Sequence, residues 1–519
     1  MKKAPYDSLF PEKSDKKTIA KLKPLVKQCV KELNVIQSRF HYPSLYLRHA
    51  PQVLLAEVLI DFALDIHTGS GLWAALEKCN TELFGTPLPL VQPVNVPLPS
   101  GICAERVQFL LWNLYPQIEY DHILSHRHIN LLSMSEEMTK FLNGLLPSLP
   151  AVSPIKEFLD KPNDYGWEVK KKLIWLGMHS YLFRLLFDKY LEERNDDEDA
   201  RESPISLIDD FICQHTTPWS GLGVIDILAA RLDVPEEQKD ELRSWYLRHV
   251  SIYKIVETDE EFAVATNLIN DTSYRIREGT SSNPRTHHFR PNMIIHGGLV
   301  PWRGEWYWSG TQYDLTQYRA NEIAEIVKRF KQNTQIVARY WKERDEAVRQ
   351  IAEEHYQDSQ KFYKNNFVMF PNGRAWERAE TQRLAAYAKA RGFMGQMPNM
   401  SLADKLRDCK NGIALYLDPV EGQEIMEEFN YVLSGLKKKG KNFTEYEETF
   451  LREWIESSAI SPAFVHRVLK EYGGEESIKH AFRLETDESY CLGYLLRCQK
   501  GMYYRRRFPC VSIVDTNKD

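Results

Sequence analysis

The sequence predicts an α+β protein, mainly α, in which helical N-terminal and C-terminal parts flank a small antiparallel β-barrel. Three observations lead there. Apolar residues recur at helical spacing through most of the first 249 residues. From Ser251 the pattern changes to short β-branched and aromatic runs with turn residues between them. After Gly310 helical spacing returns. The expected division is a helical domain over 1–249, a barrel-like domain over 250–312, and a long helix, hairpin and helical C-terminal domain over 313–519.

Each element has its own signal. Residues 15–85 read as helices, through Leu22, Leu25, Val26 and Cys29, then Val53 to Ile66. Gly85 to Gly101 (GTPLPLVQPVNVPLPSG) is kept extended by its prolines, and its apolar residues suit a strap across the helical domain. Helical spacing resumes over Ala104–Leu146, Trp167–Leu191, Pro204–Cys213 and Gly221–Leu232, and Pro235 opens a helix running through His249. Five strands follow within 251–310: SIYKIVE, EFAVATNLIN, TSYRIR, MIIHGGLVP and GEWYWSG. Leu315–Lys361 reads as one amphipathic helix, striped by Ile323, Ile326, Phe330, Val337, Trp341, Val348 and Ile351. NNFVMFPNGRAWE reads as a hairpin turning at Asn372-Gly373. GIALYLDPVEG is a strand and turn, and Gln423–Leu436, Tyr446–Ser457 and Pro462–Tyr472 are helices.

Composition excludes several classes. The chain has 519 residues, is 43% hydrophobic and 27% charged, and carries a formal net charge of −5. It is neither a disordered chain nor a bulk polycation. The run Glu192–Glu202 (EERNDDEDARE) sums to −5, so the rest is neutral; it reads as a solvated loop. An EF-hand register through Asn195, Asp197 and Asp199 fails, because Ala200 and Ser206 stand where Gly and Glu are needed. The 8 cysteines form no CxxC, which argues against a zinc ribbon and a secreted disulfide framework. The N-terminus has no apolar core behind its lysines, and Thr86–Cys103 is too proline-rich to be a membrane helix. A cytoplasmic setting without a membrane partner is expected.

LVPWRGEWYWSG (Leu299–Gly310), FVMFPNGRAWE (Phe367–Glu377), GIALYLDPVEGQEIM (Gly412–Met426) and SSAISPAFVHRVL (Ser457–Leu469) occur in that order. Together they resemble an uncharacterised bacterial family, some of whose members end in a SEC-C zinc motif. The resemblance covers roughly residues 250–480 and implies the helical, small-barrel and helical architecture, with no assigned reaction. The tail RRRFPCVSIVD holds a single Cys510, so a SEC-C site cannot form here.

Candidate chemistry is sparse. Glu119, His122 and His126 fall at i, i+3 and i+7, on one face of an expected helix, and two imidazoles with a carboxylate can hold a divalent transition metal. His287, His288 and His296, with Arg285 and Arg290, cluster around the long loop of the barrel and suit a phosphate or another anion. Gly69-Ser70-Gly71-Leu72-Trp73-Ala74 matches G-x-G-x-x-A, but a helix precedes it, so a helix cap and turn is the better reading. Trp306 and Trp308 share a strand face opposite Tyr307, and a small barrel needs such side chains for its core. In CQKGMYYRRRF, Lys500, Arg505, Arg506 and Arg507 interleave with Tyr503, Tyr504 and Phe508, which suits backbone neutralisation and base stacking.

These residues favour a non-catalytic binding protein without a cofactor, engaging nucleic acid or another protein through the barrel and basic C-terminus. The alternative is a metal-dependent hydrolase built on Glu119, His122 and His126.

Overall fold

The computed structural model describes residue 11 and residues 16–40, 47–118, 123–195, 203–269, 271–278, 289–332, 342–390, 392, 404–505 and 510–513. It is mainly helical, and the chain divides into two compact units, Met1–Asn333 and Thr334–Asp519.

The first unit begins with α1 (Lys16–Gln37), α2 (His49–Thr68), α3 (Leu72–Phe84), α4 (Ala104–Ile118) and α5 (Ile129–Leu145). It continues through α6 (Pro154–Leu159), α7 (Gly166–His179), α8 (Arg184–Asn195), α9 (Pro204–Gln214), α10 (Val224–Arg231) and α11 (Glu236–Arg243). Helix α2 is the centre: every side chain from Leu55 to Asp65 is buried. A helix apolar all round belongs inside, and its polar residues there need partners. Asp61 takes the Arg184 guanidinium. Asp65 turns to the start of α3, where Gly71, Leu72 and Trp73 donate their amides to it. Trp73 then packs edge-on against Phe62 of α2, Phe109 of α4 and Trp219.

The helix expected through His249 stops at Arg243, where a short 3-10 turn, Ser244–Leu247, leads into the sheet. Its strands are β1 (His249–Thr258), β2 (Phe262–Asn267), β3 (Ser273–Arg277), β4 (Ile294–Trp302) and β5 (Glu305–Asp314). They hydrogen-bond in the closed order β1-β2-β3-β5-β4. All pairings are antiparallel except β3 with β5, which meet in parallel through Ile276 and Trp306. Alternation sorts the side chains. Tyr253, Ile255, Ala265, Tyr274, Leu299 and Trp308 fill the inside of the sheet. Val300, Trp302 and Tyr307 point the other way and join the helical core. The pair Gly297-Gly298 lets β4 pass the Trp308 ring: a Cβ on Gly297 would lie 3.0 Å from it.

At Gly166, the first residue of α7, an added Cβ would stand 2.7 Å from the Tyr307 ring. Helix propensity alone would make Gly166→Ala stabilising by about 1 kcal/mol. Overpacking reverses the sign, so a loss of about 1–3 kcal/mol is expected in urea denaturation. A raised midpoint would show that Tyr307 does not sit against α7.

The second unit carries β6 (Phe367–Phe370), β7 (Ile413–Asp418), β8 (Gly422–Met426) and β9 (Cys510–Ile513), in that order in one sheet. The pairing β8–β9 is parallel and the other two are antiparallel. Two sequence expectations are corrected here. Asn372-Gly373 is no hairpin turn. Asn372 accepts the amides of Ala375 and Trp376, opening the helix Gly373–Ala390, while β6 pairs with the distant β7. Residues 423–426 are strand β8, and the helix starts only at Phe429. The expected Leu315–Lys361 helix is seen as α12 (Ala320–Gln332) and Lys342–Tyr363; residues 333–341 lie outside the described ones.

Candidate functional site

A groove of about 970 Å³ opens in the first unit. Four pieces of chain build it: the turn into α3, α6 with the loop after it, the end of α10 with the loop to α11, and the β4–β5 turn. Its apolar floor includes Ala74, Ala75, Leu159, Ala230, Leu232 and Val234. Its rim carries five cations, Lys78, Lys156, Lys161, Arg231 and Arg303, against three carboxylates, Asp160, Asp164 and Asp233. In a chain of net charge −5 this is a locally positive surface.

The Gly69-Ser70-Gly71 turn fixes one wall. Gly69 and Gly71 have φ of 65° and 90°, a left-handed backbone that favours glycine. The turn aims the Ser70 carbonyl at the Arg231 side chain, whose Nε donates to it. A Cβ on Gly71 would come within 2.7 Å of that nitrogen. The first amides of α3 are not open to a phosphate, because the Asp65 carboxylate already accepts them, with the Tyr181 hydroxyl as a further donor at 2.7 Å. The G-x-G-x-x-A match is therefore a helix cap and turn, with Asp65 in the anion position. Burial pushes the Asp65 carboxyl up, and these hydrogen bonds oppose it.

Beyond the turn, Asp160 accepts from Arg231 Nη2 at 2.6 Å and from the Lys156 ammonium. Burial works upward on its carboxyl, but those two donors outweigh it and hold it below the usual range. Lys172 lies behind, buried, donating to the Lys161 carbonyl and to Asn163 Oδ1. Burial pushes it down to about 8. At the far lip Arg303 pairs with Asp164 at 2.7 Å.

A second polar cluster is closed to solvent except at Asp210. The Lys170 ammonium (α7) donates to Asp209 (α9) and to the Ser309 hydroxyl (β5), and that hydroxyl lies 2.8 Å from Asp209 Oδ1. Arg248 bridges Asp209 and Asp210. Two cations meet two carboxylates, so the cluster is neutral. Burial works against the Asp209 charge, yet Lys170 and Arg248 hold its carboxyl down at about 2. Such a set clamps β5 and the residue entering β1 onto α7 and α9.

The residues singled out in the sequence fall partly among the described residues and partly outside them. Helix α4 ends at Ile118, and His126 sits in a turn, so the helical face assumed for the metal set does not reach it. Glu119 and His122 lie outside the described residues. His126 is buried against Trp112, neither ring nitrogen has a hydrogen-bond partner among the described residues, and burial pushes its pKa down to about 4. Among the described residues no group of three His, Cys, Asp or Glu is placed to hold a metal ion.

Lys500 is corrected as a phosphate contact: it is 0% exposed, and its ammonium is given to the Ser457 carbonyl. Tyr503 donates its hydroxyl to the Ser458 carbonyl, and Tyr504 lies under the Arg497 guanidinium at 4.3 Å. Arg505 is half-buried, and Arg290 is exposed beside the sheet. Arg285, Arg506 and Arg507, with His287, His288 and Phe508, lie outside the described residues; so does most of the acidic run, 196–202. Trp308 is buried and Trp306 half-buried against the same sheet interior, as a core role requires.

Residues 54–202 match a family described as "Protein of unknown function (DUF3843)". That stretch holds the groove walls from Gly69 to Lys78 and from Lys156 to Asp164, but not Arg231 or Arg303. No curated protein and no solved structure matches the chain. Among the described residues no helix is long and apolar enough to cross a membrane.

Proposed function

We propose that this is a non-catalytic binding protein whose ligand occupies the groove of the first unit, with the closed sheet acting as a small β-barrel that supplies one lip. The observation behind this reading is the groove itself: about 970 Å³, an apolar floor, and an excess of cations on the rim. Ligand sites combine concavity, apolar lining and a few placed polar groups in this way. The test is hydrogen exchange of the full chain with a panel of ATP, glucose 6-phosphate, glucose, a dipeptide and a single-stranded oligonucleotide. Protection over 69–78, 156–164 and 230–238 by any member supports the reading; protection nowhere in these segments by any member overturns it.

A second reading keeps nucleic acid as the partner, held by the C-terminal segment. It is favoured by Arg497 stacked on Tyr504, which leaves a 40% exposed aromatic face beside Arg505. Each phosphate neutralised steepens the salt dependence of binding by about 0.7–0.9 in log–log slope. Changing Arg505, Arg506 and Arg507 together to Ala is expected to flatten the slope for oligonucleotide binding by about 2 or more. An unchanged slope removes this reading.

The metal alternative rests on one observation, the two ring nitrogens of buried His126, which have no hydrogen-bond partner among the described residues. Neutral imidazole is the metal-binding form. Elemental analysis of protein purified without chelators checks it: one equivalent of zinc or iron, lost in His126→Ala, is the result this alternative requires.

A further inference from the structure

Asp160 occupies a position built for an anion. Its two carboxylate oxygens are taken by cations from different elements. Lys156 lies one helical turn earlier, and Arg231 comes from the end of α10, with Nη2 at 2.6 Å. Arg231 is not a swinging side chain. Its Nε is fixed on the Ser70 carbonyl and it packs against the glycine turn, where a Cβ at Gly71 would collide with it. The buried ammonium of Lys172 adds positive charge behind this pair. Asp160, by contrast, is on the lip of the groove with its side chain 42% exposed, free to rotate into solvent. The apolar floor of Leu159, Ala230, Leu232 and Val234 begins beside it.

We infer that the Asp160 carboxylate is a resident stand-in for the phosphate of a ligand, and that a phosphate monoester with an apolar body displaces it from Arg231 and Lys156. This rests on the groove being the ligand site. A phosphate dianion brings more acceptor oxygens and twice the charge of the carboxylate, and a fixed guanidinium pairs with it through two parallel hydrogen bonds. The displaced carboxylate then faces water rather than a second anion. The organic body lies on the floor, so the ligand class is an amphipathic phosphate monoester rather than free phosphate or a polyanion whose bases need aromatic faces.

The experiment is calorimetric titration of the full chain with phenyl phosphate and with inorganic phosphate at low salt. Asp160→Asn removes the resident charge and keeps the shape. It is expected to bind phenyl phosphate about five- to tenfold more tightly than the wild type. Adding Arg231→Gln to it abolishes that gain, and Lys156→Gln in the otherwise wild-type chain weakens binding several-fold. Phenyl phosphate is expected to bind more tightly than inorganic phosphate to the wild type and to each variant that binds either; the reverse order overturns the assignment of an apolar body. Equal or weaker binding by Asp160→Asn overturns the inference, as does Lys156→Gln binding like wild type. If phenyl phosphate binds nowhere while glucose or the dipeptide still protects the groove segments, the phosphate assignment falls and the groove reading survives. If nothing protects those segments, both fall.

Discussion

Replacing Asp209 by Asn is expected to cost the first unit about 3–5 kcal/mol, because it strands the buried charge of Lys170 and takes from Arg248 its buried carboxylate, leaving the pair with Asp210. All three side chains are below one-tenth exposed, so water cannot take over the lost interaction. The loss should be read in urea denaturation and as faster hydrogen exchange in β5, which Ser309 ties to the cluster. A companion variant separates charge from packing. Changing Lys170 to Met, Asp209 to Leu and Arg248 to Met together removes every charge but that of half-exposed Asp210, and should recover most of the stability. The pH dependence has a definite sign. The folded carboxyl is held at about 2, below its unfolded value near 4, so its contribution is complete at neutral pH and vanishes as pH falls from 4 to 2. The wild type and Asp209→Asn should therefore converge in stability over that window. A loss below about 1 kcal/mol at pH 7 would mean the cluster does not hold the sheet to the helices.

The second large effect belongs to the second unit. Phe464 is fully buried, stacked on Tyr416 at 5.1 Å and on Phe429 at 5.7 Å, with Trp454 edge-on at 6.4 Å. It joins β7 to three helices at one point. Phe464→Ala removes both the transfer energy and the packing partners, and is expected to cost about 3–5 kcal/mol. Phe464→Leu keeps most of the volume and should cost roughly half as much. Near-ultraviolet circular dichroism reports Trp454 and the tyrosines directly. An unchanged spectrum and midpoint for Phe464→Ala would show that the aromatic group is not packed there.

Much of this fold was legible because local pattern and tertiary role agree. The five strands between 249 and 314 are alternating, β-branched or aromatic and bounded by turn residues, and each is found within a few residues of its expected place. The helical first unit follows from apolar spacing in the same way. Asn372-Gly373 misled because the dipeptide serves a helix cap as readily as a hairpin turn. The following GRAWERAETQRLAAYAKA carries the stronger signal, a run of good helix formers. Residues 423–426 misled because a buried strand and an apolar helix start look alike over so few residues. The groove was not legible. Gly69, Lys156, Asp160, Arg231 and Arg303 are spread over 235 positions, and each alone reads as an ordinary turn or solvated charge. The buried cluster left a fainter trace: Lys170 and Asp209 each interrupt an apolar helix face, where an unpaired charge has no place. Their partnership needed the fold. Lys500 shows the converse, since a lysine beside tyrosines and arginines looks exposed until its helix, Cys491–Lys500, is seen to turn it inward.

The closed sheet has one weak seam. β4 and β5 are joined along most of their length, whereas among the described residues β3 and β5 share one parallel backbone pair, Ile276 with Trp306, beside the Arg277–Glu305 ion pair. The pairs β1–β2, β2–β3 and β4–β5 link neighbours in sequence, whereas β1–β4 and the β3–β5 seam join strands with others between them. These two pairings are expected to close late on the folding route, since distant contacts form only after the chain entropy between them has been lost. A late contact governs unfolding speed rather than folding speed. The lifetime of the closed ring, and of the groove lip that its β4–β5 turn supplies, is therefore expected to follow these two closures rather than the hairpin pairs.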